Sequence, residues 1–170
     1  EAMAAGNRVH VTGIGKPGHV ASYAASLLSS TGTPSTFLHG TEAVHGSCGQ
    51  LVAGDVVICI SNSGETEELK CTVEAIKNYG CKVIGLSGGE GSWLDRNSDV
   101  CLIAKVKEEG GPLNRAPMSS VLVECMAIQG LAVMLETQCG LTVKDYIKRH
   151  PGGKLGQLRK DETGDEPANA

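Results

Sequence analysis

Ser61, Ser63 and Thr66 lie close together, with Asn62 and Gly64 between them, just after the apolar run Val56 to Ile60. An apolar run that stops at hydroxyls and a glycine, then turns into a helix-like pattern through Ala75 and Ile76, is a pocket for a phosphate ester. The hydroxyls and the free N–H groups of a helix N-terminus converge on the anion, and the helix dipole favours negative charge. Gly64 lets the backbone approach closely. A simple helix cap needs one hydroxyl residue; this loop has three, plus Asn62. Glu68 sits about one turn into the helix, at roughly 3.6 residues per turn, and is open to two readings: a first-turn acid on the dipole, or an acid/base beside the ligand. Glu65 and Glu67 fit the first reading.

A second glycine-rich turn, Gly13-Ile14-Gly15-Lys16-Pro17-Gly18, follows the apolar run Val9 to Val11. Its third glycine comes too early for a dinucleotide fingerprint, and Ser35-Thr36-Phe37-Leu38 has no acid at its end for a ribose. By itself this is a strand–helix turn with a surface lysine. Lys16 gains weight because it falls at the same sheet edge as the serine loop. Of the histidines, His10 lies within a strand and reads as structural, and His19 starts a helix. His39 and His45 flank a short segment that could offer two metal ligands, with no third in view. His150 stands on a rigid, exposed turn before Pro151-Gly152-Gly153.

The elements that must hold these residues alternate. Strands are expected at 9–13, 35–38, 55–60, 82–86 and 100–104. Helices are expected at 20–28, 67–79, 118–135 and 143–149, with helical turns near 42–45 and 93–96. Repeated β–α units imply a parallel sheet with helices on both faces, here an α/β three-layer αβα sandwich around five parallel strands. Ligands on such folds bind at the carboxyl ends of the strands. Met118 to Leu135 is apolar on most sides, so it is expected to be buried in the domain or at a subunit interface.

At 170 residues, 41% hydrophobic and 20% charged, the composition is that of one globular domain. The net charge of -4 argues against nucleic acid or an anionic membrane as partner. The scarcity of aromatic residues, 3%, argues against stacking on bases. No apolar run is read as a membrane span of about 20 residues. The seven cysteines are odd in number and lack C-x-x-C spacing, so they read as buried thiols of a reducing cytoplasm. One domain is expected over 1–158 and a disordered acidic tail over 159–170. The chain opens almost directly into its first strand at Glu1-Ala2-Met3, as though a preceding helix had been trimmed.

Together, Gly13-Ile14-Gly15-Lys16-Pro17-Gly18-His19, Gly32-Thr33-Pro34, Glu42-Ala43-Val44-His45-Gly46, the 60–68 serine loop, Ala116-Pro117-Met118-Ser119-Ser120 and His150-Pro151-Gly152-Gly153-Lys154-Leu155-Gly156 resemble the sugar isomerase (SIS) domain family, and within it the arabinose-5-phosphate isomerase branch. The resemblance runs from about Val9 to Leu158. It implies interconversion of D-ribulose 5-phosphate and D-arabinose 5-phosphate, with no cofactor, in a homotetramer with shared sites. It also implies roles. Ser61, Ser63 and Thr66, with Asn62 and Gly64, match the phosphate loop. Lys16, Glu68, Glu109 and His150 match catalytic positions, and His45 a substrate-contacting histidine. Gly15, Gly32, Thr33, Ser119, Ser120 and the Lys105 to Lys107 stretch match substrate contacts, and His39 a histidine that can bind inhibitory zinc. The chain departs from the best-known members in ending with an acidic tail where they carry a pair of cystathionine-β-synthase-type domains, and in Lys154, where a small residue is commoner. Two other readings share the serine loop: an isomerase of another sugar phosphate, and a non-catalytic sugar-phosphate sensor.

Overall fold

The protein is described by a computed structural model. It describes residues 5–165; the expected trimming at Glu1-Ala2-Met3 and the tail residues 166–170 fall outside that range. Five strands form one sheet in the order β2-β1-β3-β4-β5: β1 Val9–Gly13, β2 Ser35–Phe37, β3 Val56–Ser61, β4 Lys82–Ser87 and β5 Val100–Ile103. Every pairing is parallel. The helices are α1 Lys16–Ser30, α2 Gly40–Ala43, α3 Glu67–Asn78, α4 Trp93–Asn97, α5 Ser119–Cys139 and α6 Val143–Arg149.

Strand alternation sorts the side chains into two cores. Val9, Val11, Ile58, Ile60 and Leu86 pack under α1 and α5, against Ala24, Leu28, Ile128 and Ala132. Val57, Cys59 and Val83 face the other way, against Leu69, Val73 and Ile76 of α3 and Leu94 of α4. Each fully buried leucine or isoleucine contributes about 1.5–3 kcal/mol. The expected αβα sandwich is therefore the fold. Helix α1 begins at Lys16, earlier than the apolar pattern predicted, because Pro17 is compatible with a first helical turn. The turn before it is tight: a Cβ on Gly13 would lie 2.8 Å from the Pro17 carbonyl.

Two expectations change. Helix α5 buries only the stripe Ser120, Glu124, Ile128 and Ala132, leaving Leu122, Met126, Val133 and Met134 more than half exposed. By length and composition it is also a helix that could cross a membrane, with mean hydropathy 1.4, although Glu124, Gln129 and Glu136 punctuate the run in sequence. Among the cysteines, Cys48, Cys59 and Cys81 are buried, whereas Cys71 and Cys139 are exposed, being on the outer faces of their helices. Residues 159–165 fold back on α6, where Gly164 O accepts from Lys144 N–H and Asp165 pairs with the Lys144 side chain.

At the amino end of β1 a polar knot is sealed inside. The fully buried His10 has Nε2 at 3.0 Å from Asp55 Oδ2 and Nδ1 at 2.7 Å from Thr36 Oγ1. Asp55 also accepts from the N–H groups of Arg8 and Val52. Burial works against its charge, but these donors hold its carboxyl below the usual range. His10 is thus structural, as its position in a strand suggested.

Candidate active site

The strand order reverses direction between β1 and β3: the chain leaves β1 for β2 on one side, and β3 leads on to β4 on the other. Ligands bind at such a switch point, outside the carboxyl ends of the strands. The glycine turn after β1 and the serine loop after β3 both open there.

The serine loop is held from beneath. Gly64 adopts φ +66, and a Cβ on it would collide with the Ser92 side chain. Ser61 is buried, its Oγ accepting from Gly64 N–H at 3.1 Å and lying 3.2 Å from Thr66 Oγ1. Ser63 is exposed and accepts from Glu65 N–H at 3.2 Å. Thr66 is the N-cap of α3 but makes no side-chain cap. The first N–H groups of α3 therefore precede its hydrogen-bond ladder and face outward with the dipole behind them. Glu65 is a clamp rather than a ligand: its Oε1 accepts from Trp93 N–H at 2.8 Å and its Oε2 pairs with Lys70. Those two contacts, the Trp93 bond first, hold its carboxyl below the usual range. Glu67 also pairs with Lys70. Glu68 is exposed at the first turn of α3 and is in no ion pair among the described residues.

Glu109 ties the loop to the start of α5. Its Oε1 accepts from Asn62 Nδ2 at 3.1 Å. Its Oε2 accepts from the N–H groups of Met118 at 2.9 Å and Ser120 at 3.1 Å. Burial opposes its charge, but the Ser120 side chain and the N–H groups of Ser120, Met118 and Ser119 hold its carboxyl below the usual range. Ser119 joins through its Oγ, which donates to Glu109 O at 3.1 Å. Lys16 is exposed at the first turn of α1 and lines a 260 Å³ cleft with Pro117, Val121 and Cys125 of the α5 start. Gly15, at φ +67, caps α1 and lines a neighbouring 370 Å³ cleft with His19, His39 and Thr41. His39 caps α2, its Nδ1 accepting from Glu42 N–H. Among the described residues no three His, Cys, Asp or Glu side chains gather as for a metal ion.

The structure thus brings Gly15, Lys16, Ser61, Asn62, Ser63, Gly64, Thr66, Glu68, Glu109, Ser119 and Ser120 to one edge. His45 is exposed on the segment just after α2. Gly32, Thr33 and His150 are elsewhere. Gly32 and Thr33 precede β2, at the amino end of the sheet. A Cβ on Gly32 would meet Leu141 at 3.1 Å, which puts the end of α5 there too. Helix α5 starts at Ser119, beside the Glu109 carboxylate, and runs about 31 Å at 1.5 Å per residue. Tyr146 and Ile147 of α6 share a cavity with Glu136 in the last turns of α5. His150 follows at once, its ring stacked on Tyr146 at 4.0 Å. It lies at the far end from the serine loop of its own chain.

Sequence reasoning missed Glu124. It is 2% exposed, and neither carboxylate oxygen has a partner among the described residues. Burial, then the charge of Glu109, pushes its carboxyl up to about 7. The available clue was an acid four residues after Ser120 in an otherwise apolar stripe.

A family model described as the SIS domain matches residues 3–134. The chain is 43% identical over 155 residues to arabinose 5-phosphate isomerase KdsD of Pseudomonas aeruginosa, covering 91% of this chain and 48% of that protein. It is 41% identical over 165 residues to the protein of the same name from Escherichia coli K12, covering 94% and 50%. The chain thus spans about half the length of these curated relatives. The structure of Escherichia coli CFT073 c3406 in complex with A5P superposes with a TM-score of 0.82 at 39% identity, covering 85% of this chain and 77% of that one.

Proposed function

The chain belongs to the SIS domain family, and on that premise we propose that it is an aldose–ketose isomerase of a sugar phosphate, interconverting D-ribulose 5-phosphate and D-arabinose 5-phosphate. The observation that carries this reading is the join of the serine loop, through Asn62 and Glu109, to the start of α5, with Lys16 and Glu68 at the rim of the same edge. The names of the KdsD relatives and of the A5P complex support the substrate class.

The reaction moves a proton between C1 and C2 through a cis-enediolate. It needs a base on one face of the carbon pair and electrophilic help for the developing oxyanion. Phosphate held by Ser61, Ser63, Thr66 and the open N–H groups of α3 fixes the sugar, so remote binding energy supplies orientation. Glu68 takes the proton. The Lys16 ammonium stabilises the enediolate oxygen. Glu109, charged and triply hydrogen-bonded, holds Asn62 and the α5 start against the bound sugar. His45 and His150 position hydroxyls or relay the proton between O1 and O2. The distance of His150 from the serine loop of its own chain supports a site shared between subunits of a homotetramer, with the exposed apolar face of α5 available to an interface. We propose one domain over residues 1–158 acting in the cytoplasm.

The test is incubation with D-ribulose 5-phosphate in deuterated buffer, followed by proton NMR. Formation of D-arabinose 5-phosphate with deuterium at C2 is expected. Binding of the phosphate ester with neither product nor exchange would overturn the reading as an isomerase of this pentose phosphate, in favour of another sugar substrate or a sensor.

A further inference from the structure

The four buried positions of α5 form one stripe, and the two nearest the site are polar: Ser120, then Glu124 one turn below it. Both carboxylate oxygens of Glu124 are sealed from solvent with no hydrogen-bond partner among the described residues. Native interiors pair such groups almost without exception, and a lone buried charge is the costliest kind of defect. Among the described residues Glu124 has no counter-charge. The strands beneath α5 present Val11, Ile58, Ile60 and Leu86. From α1, Lys16, His19 and Tyr23 line the cleft beside Val121 and Cys125, on the flank of α5 next to the buried stripe. The charged group whose field reaches Glu124 is Glu109, of the same sign. Glu109 in turn accepts from the Ser120 N–H above Glu124 and from Asn62 of the serine loop.

We propose that Glu124 is a positioning residue for the anion site: as a neutral acid it lets the Glu109–Asn62–Ser120 cluster stay closed on the serine loop, and as a carboxylate it sets a second negative charge behind Glu109 that weakens phosphate-ester binding. The proposal rests on the serine loop being the phosphate site. Near neutral pH the group is poised between its two forms, because burial and Glu109 both penalise its charge. Loss of the proton there repels Glu109 and opposes an incoming dianion through a medium that screens poorly. Linkage works in both directions, so bound phosphate ester must raise proton affinity at Glu124 by the same factor.

Calorimetric titration of the full chain with D-arabinose 5-phosphate from pH 6 to 8.5 tests this, comparing wild type with Glu124→Gln, which fixes the neutral shape. Comparison at each pH cancels titration of the ligand phosphate. Wild type is expected to lose about three- to tenfold more affinity across the range than Glu124→Gln, the size of one unscreened charge at this depth. Repeating the titration at pH 7 in buffers of different ionisation enthalpy gives a second readout: wild type should take up more protons on binding than the variant. A purely structural Glu124 would change stability and leave both comparisons flat, which would overturn the inference alone. Absence of binding at every pH in both proteins would overturn the phosphate-site reading, and the inference with it.

Discussion

Asn62 Nδ2 donates to Glu109 Oε1 at 3.1 Å across 47 residues of sequence, and this bond joins the serine loop to the start of α5. Glu109 gives its other oxygen to Met118 and Ser120, so one carboxylate ties the three segments together. Asn62→Asp replaces the donor with a like charge beside a carboxylate held ionised. The loop should open and phosphate-ester affinity fall at least about tenfold, with a stability loss of roughly 1–3 kcal/mol. Calorimetric titration and urea unfolding check the two parts. Unchanged affinity would mean the loop binds its ligand without this tie.

Among the described residues Glu68, at the first turn of α3, is in no ion pair, while its neighbours Glu65 and Glu67 are engaged with Trp93 and Lys70. Glu68→Gln keeps shape and removes the base. Turnover should fall by about 10²–10⁴-fold with KM changed little, the pattern of a group needed in the transition state. Steady-state rates in both directions give the split. A variant with near-normal kcat would exclude Glu68 as base.

The strands, the sheet and the serine loop were legible because short continuous apolar runs that end at glycine and hydroxyl residues leave plain marks on local sequence. Glu67 was rightly read as a first-turn acid, whereas Glu65 lies before the N-cap Thr66 and accepts from Trp93 N–H instead, a contact not visible in the sequence. What stayed hidden depends on distance through space. Nothing near Glu109 in sequence shows that it meets Asn62. His150 sits in a conspicuous turn, yet only the course of α5 shows that it ends far from the serine loop of its own chain. Glu124 was overlooked because an acid in an apolar helix reads as a solvent-facing break, and which face it takes is decided by packing on the sheet. Gly32 and Thr33 entered by resemblance; the parallel pairing of β1 and β2 sets them at the opposite edge.

The same Glu124 predicts a pH dependence of stability. Its carboxyl is raised in the folded state to about 7, above the usual value near 4.3. Between those values the folded chain binds more protons than the unfolded one, so this group's contribution is full below about pH 4.3 and is lost as pH rises through 7. The whole effect is on the order of 3 kcal/mol. Asp55 and Asp99, held below the usual range, act in the opposite sense: their contribution is present above their unfolded values and is lost as pH falls. Unfolding of wild type and Glu124→Gln at pH 5 and pH 8.5 separates the terms. The variant should gain on wild type at the higher pH. Parallel curves would show that Glu124 reaches water or a counter-charge when folded.

His150 and Lys16 test whether the site is shared. Each is proposed to serve catalysis, yet the course of α5 sets His150 at the amino end of the sheet and Lys16 at the carboxyl end of β1. If a site takes Lys16 from one chain and His150 from another, Lys16→Ala and His150→Ala are each inactive alone. Unfolded and refolded together, they form mixed assemblies in which some sites draw both intact residues. For random pairing across a two-fold interface, about a quarter of wild-type activity should return. Size-exclusion chromatography of the mixture verifies that assemblies have formed. Assembly without regained activity would mean that His150 serves its own chain or none, and would require α6 to swing across the length of α5 during the reaction.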